Sequence, residues 1–135
     1  MALRDYAELD EDDFYGQDFE QSGIVSLWVG LGIPNSNQEE IDILQDCCGV
    51  GYYSLDNQES NFESFELVPF PNLIAELSYV RSFDNEAMAA ALRAGISNAR
   101  FVIAQFDFKF DPKRIKRQVN DDPRFLGSFR YLRNE

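Results

Sequence analysis

The feature that most limits the possible folds is an apolar run in the second half of the chain, residues 100–110, which reads RFVIAQFDFKF. Successive side chains of a β-strand point to opposite faces, so alternate positions of this run share a face. One face then carries Val102, Ala104, Phe106, Phe108 and Phe110. The other carries Phe101, Ile103, Gln105, Asp107 and Lys109. The pattern predicts a strand with one end buried on both faces and the other end at the surface.

A shorter apolar run earlier in the chain predicts the central strand of the sheet. Residues 24–29 read IVSLWV, and Gly30, Gly32 and Pro34 close the run. A short β-branched and aromatic run bounded by turn residues is typical of a strand that is buried on both faces. Further strands are predicted at residues 51–55, 65–68 and 125–132, with a polar loop over residues 56–61. The last strand is expected to pair with the strand at residues 100–110.

Two segments in the first part of the chain carry helix signals. Ser36, followed three residues later by Glu39, forms a capping box for a helix over residues 37–48, which Gly49 ends. The adjacent cysteines Cys47 and Cys48 would lie in its last turn, where small core residues are more common than a redox pair. Pro71 suits the first turn of a second, short helix with an apolar face.

A third helix is predicted over residues 85–94, with Asp84 as its N-cap and Gly95 as its terminator. Its apolar face would carry Ala87, Met88, Ala91 and Leu92. The order of these elements predicts an α+β fold, a two-layer sandwich of a mixed, mainly antiparallel sheet with helices on one face. We expect residues 23–135 to form a single domain. Residues 1–22 read as an acidic N-terminal arm that is solvated and free to stay mobile until a partner docks.

The net charge of -12 is divided unevenly along the 135 residues. Residues 1–66 contain sixteen acidic side chains and one basic side chain, Arg4, whereas residues 67–135 contain eight acidic and eleven basic side chains. The net charges of the two parts are therefore -15 and +3. One interpretation is that the two halves meet in space and neutralise each other. The other is an acidic surface that recognises a basic partner.

The composition excludes several classes of function. The chain has no histidine, which rules out Ser-His-Asp, Cys-His and HExxH chemistry. Its two cysteines are neighbours, so a disulfide-stapled secreted domain is not expected. No export signal and no apolar segment of membrane-spanning length are visible, which favours the cytoplasm. We therefore expect a binding protein rather than an enzyme, with no cofactor, no direct nucleic-acid binding and no membrane association.

Two alternatives remain open at this stage. The first is an acidic calcium-binding or regulatory protein. An EF-hand loop starting at Glu11 would have the required glycine, Gly16, at its sixth position, but it has Tyr15 and Ser22 at positions that need calcium ligands. A carboxylate-based hydrolase is the other, because two carboxylates at a set separation are sufficient for glycoside-type catalysis.

Acidic residues interleaved with aromatic residues combine long-range electrostatic attraction with bulky side chains that fill pockets on a partner. The predicted partner-binding residues come from two stretches of this kind in the first half of the chain and from the exposed acidic face of the helix predicted over residues 37–48. They are Asp10, Glu11, Asp12, Asp13, Phe14, Tyr15, Asp18, Glu20, Glu39, Glu40, Asp42, Tyr53, Asp56 and Glu59.

Several motifs between residues 24 and 111 resemble a known family. These are the strand IVSLWVG at residues 24–30, Leu77-Ser78-Tyr79 with Ser82-Phe83, Gly95-Ile96 with Asn98-Ala99, and the strand FVIAQFD at residues 101–107. Together they resemble the immunity protein 22 family of bacterial polymorphic toxin systems. The acidic aromatic stretch of that family corresponds loosely to Tyr53, Asp56 and Glu59.

The resemblance implies a small cytosolic antidote that binds and blocks a toxin, commonly a nuclease, and it implies no catalytic residues. Trp28, Tyr79 and Phe83 carry the resemblance, and we expect them to be core residues. The leading hypothesis is thus an immunity protein whose acidic first half docks on a basic toxin.

Overall fold

Four strands form the main sheet of the computed structural model, which describes residues 19–32, 44, 48–51, 53–61, 66–115 and 122–132. They are β1 (Glu20–Gly30), β2 (Gln58–Asn61), β5 (Phe101–Phe108) and β6 (Arg124–Arg130). Their spatial order is β2-β5-β1-β6, and every neighbouring pair is antiparallel. A small second sheet pairs β3 (Val68–Pro69) with β4 (Asn98–Ala99).

The described helices are α1 (Phe70–Ile74) and α2 (Asp84–Arg93). Short 3-10 turns occur at Leu55–Asn57, Val80–Ser82 and Pro112–Arg114. This combination confirms the α+β class. It also confirms the two longest predicted strands, although β1 begins four residues earlier than the apolar run, inside the range assigned to the acidic arm.

Both faces of the main sheet are apolar. On the first face, Val25, Leu27 and Val29 of β1 pack with α1 and α2, and this cluster also contains Val102, Ala104 and Phe106 of β5. On the second face, the cluster contains Phe19, Trp28, Leu44, Cys48, Val50, Phe101, Ile103, Phe108 and Phe110. The two described helices therefore cover one face, as predicted, while segments that include Leu44, Cys48 and Val50 cover the other. Burial on both faces explains why β1 and β5 are continuous apolar runs.

The prediction of which side chains share a face of β5 is wrong at the C-terminal end of the strand, because the backbone changes conformation at Asp107. Strict alternation places Phe106, Phe108 and Phe110 on one face, but Phe106 lies in the first cluster and the other two lie in the second. Asp107 has a φ of 57°, and the register between β1 and β5 shifts at this point. A left-handed residue breaks the pleat, so the side chains beyond it change face.

Two strand predictions are also wrong. The edge strand β2 lies at residues 58–61, within the segment expected to be a polar loop, and not at residues 51–55. The last strand, β6, pairs with β1 and not with β5. Both errors concern pairing between distant segments, about which local composition carries little information.

The helix predictions hold in part. Pro71 lies in the first turn of α1, and Gly95 follows α2 with a φ of 75°, as expected of a C-terminal terminator. Asp84 is the first residue of α2 and not its N-cap, which is Phe83 without a side-chain cap bond. Leu92 was expected in the core but is 76% exposed, because Ala87, Ala90 and Ala91 form the buried face. Apart from Leu44 and Cys48, the helix predicted over residues 37–48 lies outside the described residues.

Candidate functional site

Four of the predicted partner-binding residues lie in the described part of the chain, namely Glu20, Tyr53, Asp56 and Glu59. The others lie outside the described residues. They are Asp10, Glu11, Asp12, Asp13, Phe14, Tyr15, Asp18, Glu39, Glu40 and Asp42.

Glu20 is an exposed residue at the start of β1, opposite Phe108 of β5. The residue before it, Phe19, is buried, and its ring lies 5.4 Å from the ring of Phe108 and 5.2 Å from that of Phe110. The backbone N–H of Lys109 donates to the carbonyl of Phe19 at 2.7 Å. The aromatic contacts and this hydrogen bond hold the start of β1 at the sheet and leave the Glu20 side chain facing solvent.

Asp56 is also exposed and belongs to the turn Leu55–Asn57 that leads into β2. The side-chain amide of Gln105, on β5, donates from Nε2 to the carbonyl of Ser54 at 2.7 Å and thereby ties this turn to the sheet. Because β2 runs antiparallel to β5, the turn lies towards the end of β5 that pairs with Glu20. The fold therefore brings Glu20 and Asp56 to the same end of the sheet, on either side of β5.

Glu59 and Tyr53 have contacts within the fold. The carboxylate of Glu59 accepts a hydrogen bond from the backbone N–H of Ser78 at 2.9 Å, which links β2 to the segment after α1. Tyr53 is half-buried and packs against the second apolar cluster. Of the four predicted partner-binding residues that are described, Glu20 and Asp56 thus lie at an exposed end of the sheet. Glu59 and Tyr53 make contacts that stabilise the fold.

Acidic side chains of the first half that the structure describes form no ion pairs with the described basic residues of the second half. Glu20, Asp56, Glu59 and Glu66 have no ion-pair partner among the described residues. Within the second half, the guanidinium of Arg114 lies 3.9 Å from the carboxylate of Asp111. The first interpretation of the charge division, in which the two halves neutralise each other, therefore has no support from these four residues.

A second constellation, around Asp107, was missed at the level of sequence. Its Oδ1 accepts hydrogen bonds from the backbone N–H of Gly23 at 2.9 Å and from the hydroxyl of Tyr131 at 2.6 Å. The Tyr131 ring stacks on Tyr79, with ring centroids 5.5 Å apart, and Tyr79, like Asp107, has a positive φ, at 59°. Two left-handed residues thus converge on one tyrosine. A carboxylate bound in this way fixes the ends of three strands, and no local sequence signal marks it.

Asp122 plays a similar part at the opposite end of β1. Its two carboxylate oxygens accept from the backbone N–H groups of Leu31 at 2.7 Å and Gly32 at 3.2 Å. The guanidinium of Arg100 donates from Nε to the carbonyl of Leu31 at 2.9 Å. These bonds satisfy backbone groups where the sheet pairing of β1 ends.

Among the described residues, no group of three or more cysteine, aspartate or glutamate side chains is arranged to hold a metal ion. The same residues include no helix of the length and apolarity needed to cross a bilayer. Trp28 and Phe83 are each 1% exposed and belong to the core, and Tyr79 packs against the first apolar cluster.

The chain was compared with family models, curated protein sequences and solved structures. None of the three comparisons gives a match. The resemblance to the immunity protein 22 family, drawn from the motifs above, therefore stays a prediction.

Proposed function

We propose that the protein is a cytoplasmic immunity protein that binds and neutralises a cognate basic toxin of the nuclease type through its acidic surface. It acts by binding, as a non-enzyme without a cofactor. A nuclease that holds a phosphate backbone has a cationic groove, and an acidic protein can occupy that groove or an adjacent surface.

One observation carries the proposal, namely that the described acidic side chains of the first half have no ion-pair partner elsewhere in the described part of the chain. Glu20 and Asp56 are exposed at one end of the sheet, so their charges act outward into solvent. Self-repulsion of a strongly acidic half costs folding free energy, and solubility needs a much smaller net charge than -15 in half a chain. A basic partner supplies the missing counter-charge.

The motif resemblance supports the same function from a separate direction. It rests on core residues such as Trp28 and Phe83, which do not belong to the acidic surface. Asp56 is common to the charge argument and the motif resemblance, because it also corresponds loosely to the acidic aromatic stretch of the family.

The direct test is rescue of a poisoned cell. The protein encoded next to this chain's gene is produced in a bacterial host, with and without this chain, and growth and nuclease activity are measured. We expect the neighbour's C-terminal domain to be basic and to arrest growth, and co-production of this chain to restore growth. Arrest that persists despite equal production of a folded chain would contradict the proposal.

A binding measurement on the purified pair tests the electrostatic part. The dissociation constant should rise steeply with salt, because exposed charges are screened. Glu20→Gln combined with Asp56→Asn should lower the association rate constant and make the dissociation constant less dependent on salt. Glu76→Gln combined with Glu86→Gln removes the same number of exposed acids from another part of the chain and serves as the matched control.

A further inference from the structure

The strand β2 is an edge of the main sheet. In the described part of the chain it pairs only with β5, from Gln58 opposite Gln105 to Asn61 opposite Val102. In an antiparallel pair, alternate residues direct their backbone N–H and C=O groups away from the partner strand. The backbone N–H of Gln58 donates to the carbonyl of Leu55, and the structure gives the four residues of β2 no other backbone partner outside β5 among the described residues. The outer side of β2 therefore presents groups that an added strand can bind.

This edge is held in place by side chains on the first face of the sheet. The side-chain amide of Asn61 donates from Nδ2 to the carbonyl of Leu73 at 3.1 Å, and Glu59 accepts from the N–H of Ser78. On the other face, the amide of Gln58 approaches that of Gln105 at 3.4 Å. A strand fixed in this way loses little conformational entropy when another strand docks on it.

The charge of the edge selects what it can bind. Natural edge strands are commonly protected by lysine, yet residues 5–80 of this chain contain no lysine or arginine. Asp56 lies immediately before β2, Glu59 lies within it, and Glu66 is exposed in the segment that follows. Leu55, which is 69% exposed, adds an apolar contact beside Asp56. An extended segment rich in lysine or arginine matches this edge, whereas an acidic segment or the β2 of a second copy would be repelled.

We propose that β2 is the docking edge for an extended basic segment of a partner protein, which adds to the sheet as a strand beside β2. The inference rests on the proposed function only in taking that partner to be the basic toxin. Main-chain hydrogen bonds supply the alignment, and the acidic side chains supply the preference for a cationic strand.

The first test uses a synthetic peptide of alternating lysine and threonine with the isotope-labelled full chain at low salt. Amide hydrogen exchange of residues 58–61 is followed by NMR. We expect the amides of β2 that point away from β5 and have no partner in the fold to exchange more slowly at saturating peptide, by a factor of up to about ten. A lysine and threonine peptide of the same sequence with every backbone nitrogen methylated has the same charge but no N–H group to donate, so it should give no such protection.

Several results would overturn the proposal. Equal protection by both peptides would mean general attraction of cations, and shifts confined to residues outside β2 would place the peptide elsewhere. Protection by an alternating glutamate and threonine peptide would exclude a charge preference. Protection that rises with protein concentration in the absence of peptide would assign the edge to a second copy.

Side-chain variants provide the second test. Asp56→Asn combined with Glu59→Gln removes two charges while leaving an amide oxygen to accept the Ser78 N–H. We expect the peptide to bind about twofold to tenfold more weakly to this variant. Glu76→Gln combined with Glu86→Gln is the matched control and should bind the peptide as the parent does. Unchanged binding by both variants would contradict the role of the edge carboxylates.

The outcomes for the edge and for the function can be separated. Rescue by this chain without protection of the β2 amides in the toxin complex would refute the docking edge and leave the proposed function intact. Protection of β2 by the lysine and threonine peptide without rescue of growth would refute the function and retain the edge.

Discussion

Asp107 and Asp122 lie at opposite ends of β1, and each accepts two hydrogen bonds from groups of the fold. Glu20 and Asp56 are chemically similar, but their side chains are exposed and have no hydrogen-bond or ion-pair partner within the described residues. The first pair belongs to the second half of the sequence, and the second pair belongs to the strongly acidic first half. Net charge along a sequence therefore does not determine what each carboxylate does in the fold. Bound carboxylates stabilise the fold, and exposed ones contribute a field that a partner can use.

The largest expected effect on stability is that of Asp107→Ala. The substitution leaves the N–H of Gly23 and the hydroxyl of Tyr131 without their acceptor and removes the link between the ends of β1, β5 and β6. We expect a loss of about 2 to 4 kcal/mol in the free energy of unfolding, measured by urea denaturation. Asp107→Asn should lose less, because its amide oxygen still accepts and asparagine tolerates positive φ. A loss under about 0.5 kcal/mol for the alanine variant would show that this carboxylate does not stabilise the fold.

Asp122→Ala should have a smaller effect, about 1 to 2 kcal/mol. One of its two hydrogen bonds, to Gly32, is exposed and longer at 3.2 Å, so water replaces it at little cost. Thermal or urea unfolding provides the measurement. A loss as large as that of Asp107→Ala would mean that the two ends of β1 contribute equally, contrary to the geometry.

Tyr131→Phe isolates one bond of the Asp107 constellation. The ring contacts with Tyr79 and Phe106 remain, while the hydroxyl that donates to Asp107 at 2.6 Å is lost. The expected loss is about 1 kcal/mol, since Asp107 keeps the N–H of Gly23. In a chain that already carries Asp107→Ala, Tyr131→Phe should lower the free energy of unfolding by much less. An equal loss in both backgrounds would exclude an energetic coupling between Tyr131 and Asp107.

The smallest effect on stability is expected for Glu20→Gln combined with Asp56→Asn. Both side chains are exposed, so the free energy of unfolding should change by no more than about 0.5 kcal/mol. The same variant should bind the proposed basic partner more weakly, which calorimetry on the purified pair can measure. A marked loss of stability would place these two carboxylates with Asp107 and Asp122 as structural groups.

Local pattern was sufficient for the main elements of the fold. The runs at residues 24–29 and 101–108 are strands, and the alanine-rich segment is a helix ended at Gly95, because each carries its own periodicity and terminators. The position of β2 was missed because Gln58, Glu59, Ser60 and Asn61 have weak strand preference. They form a strand by pairing with β5, which is about forty residues away along the chain.

The candidate site was predictable to a similar extent. The abundance of acids in the first half could be counted, and their lack of basic neighbours in sequence made an acidic surface plausible. The separate contacts of Glu59 and Asp56 could not be foreseen. One accepts the N–H of Ser78 and the other faces solvent, although they are only three residues apart.

Composition and periodicity thus established an acidic chain without histidine that folds around two long apolar strands, because these properties depend on residue type and on short-range spacing. The left-handed turn at Asp107, the pairing of β6 with β1 and the division of carboxylates into bound and exposed groups arose from the folded molecule. These features depend on contacts between residues distant in sequence, from 19 positions for Glu59 with Ser78 to 84 for Gly23 with Asp107 and 91 for Leu31 with Asp122. Such contacts form only when strand register and packing are satisfied together, and no local segment encodes them.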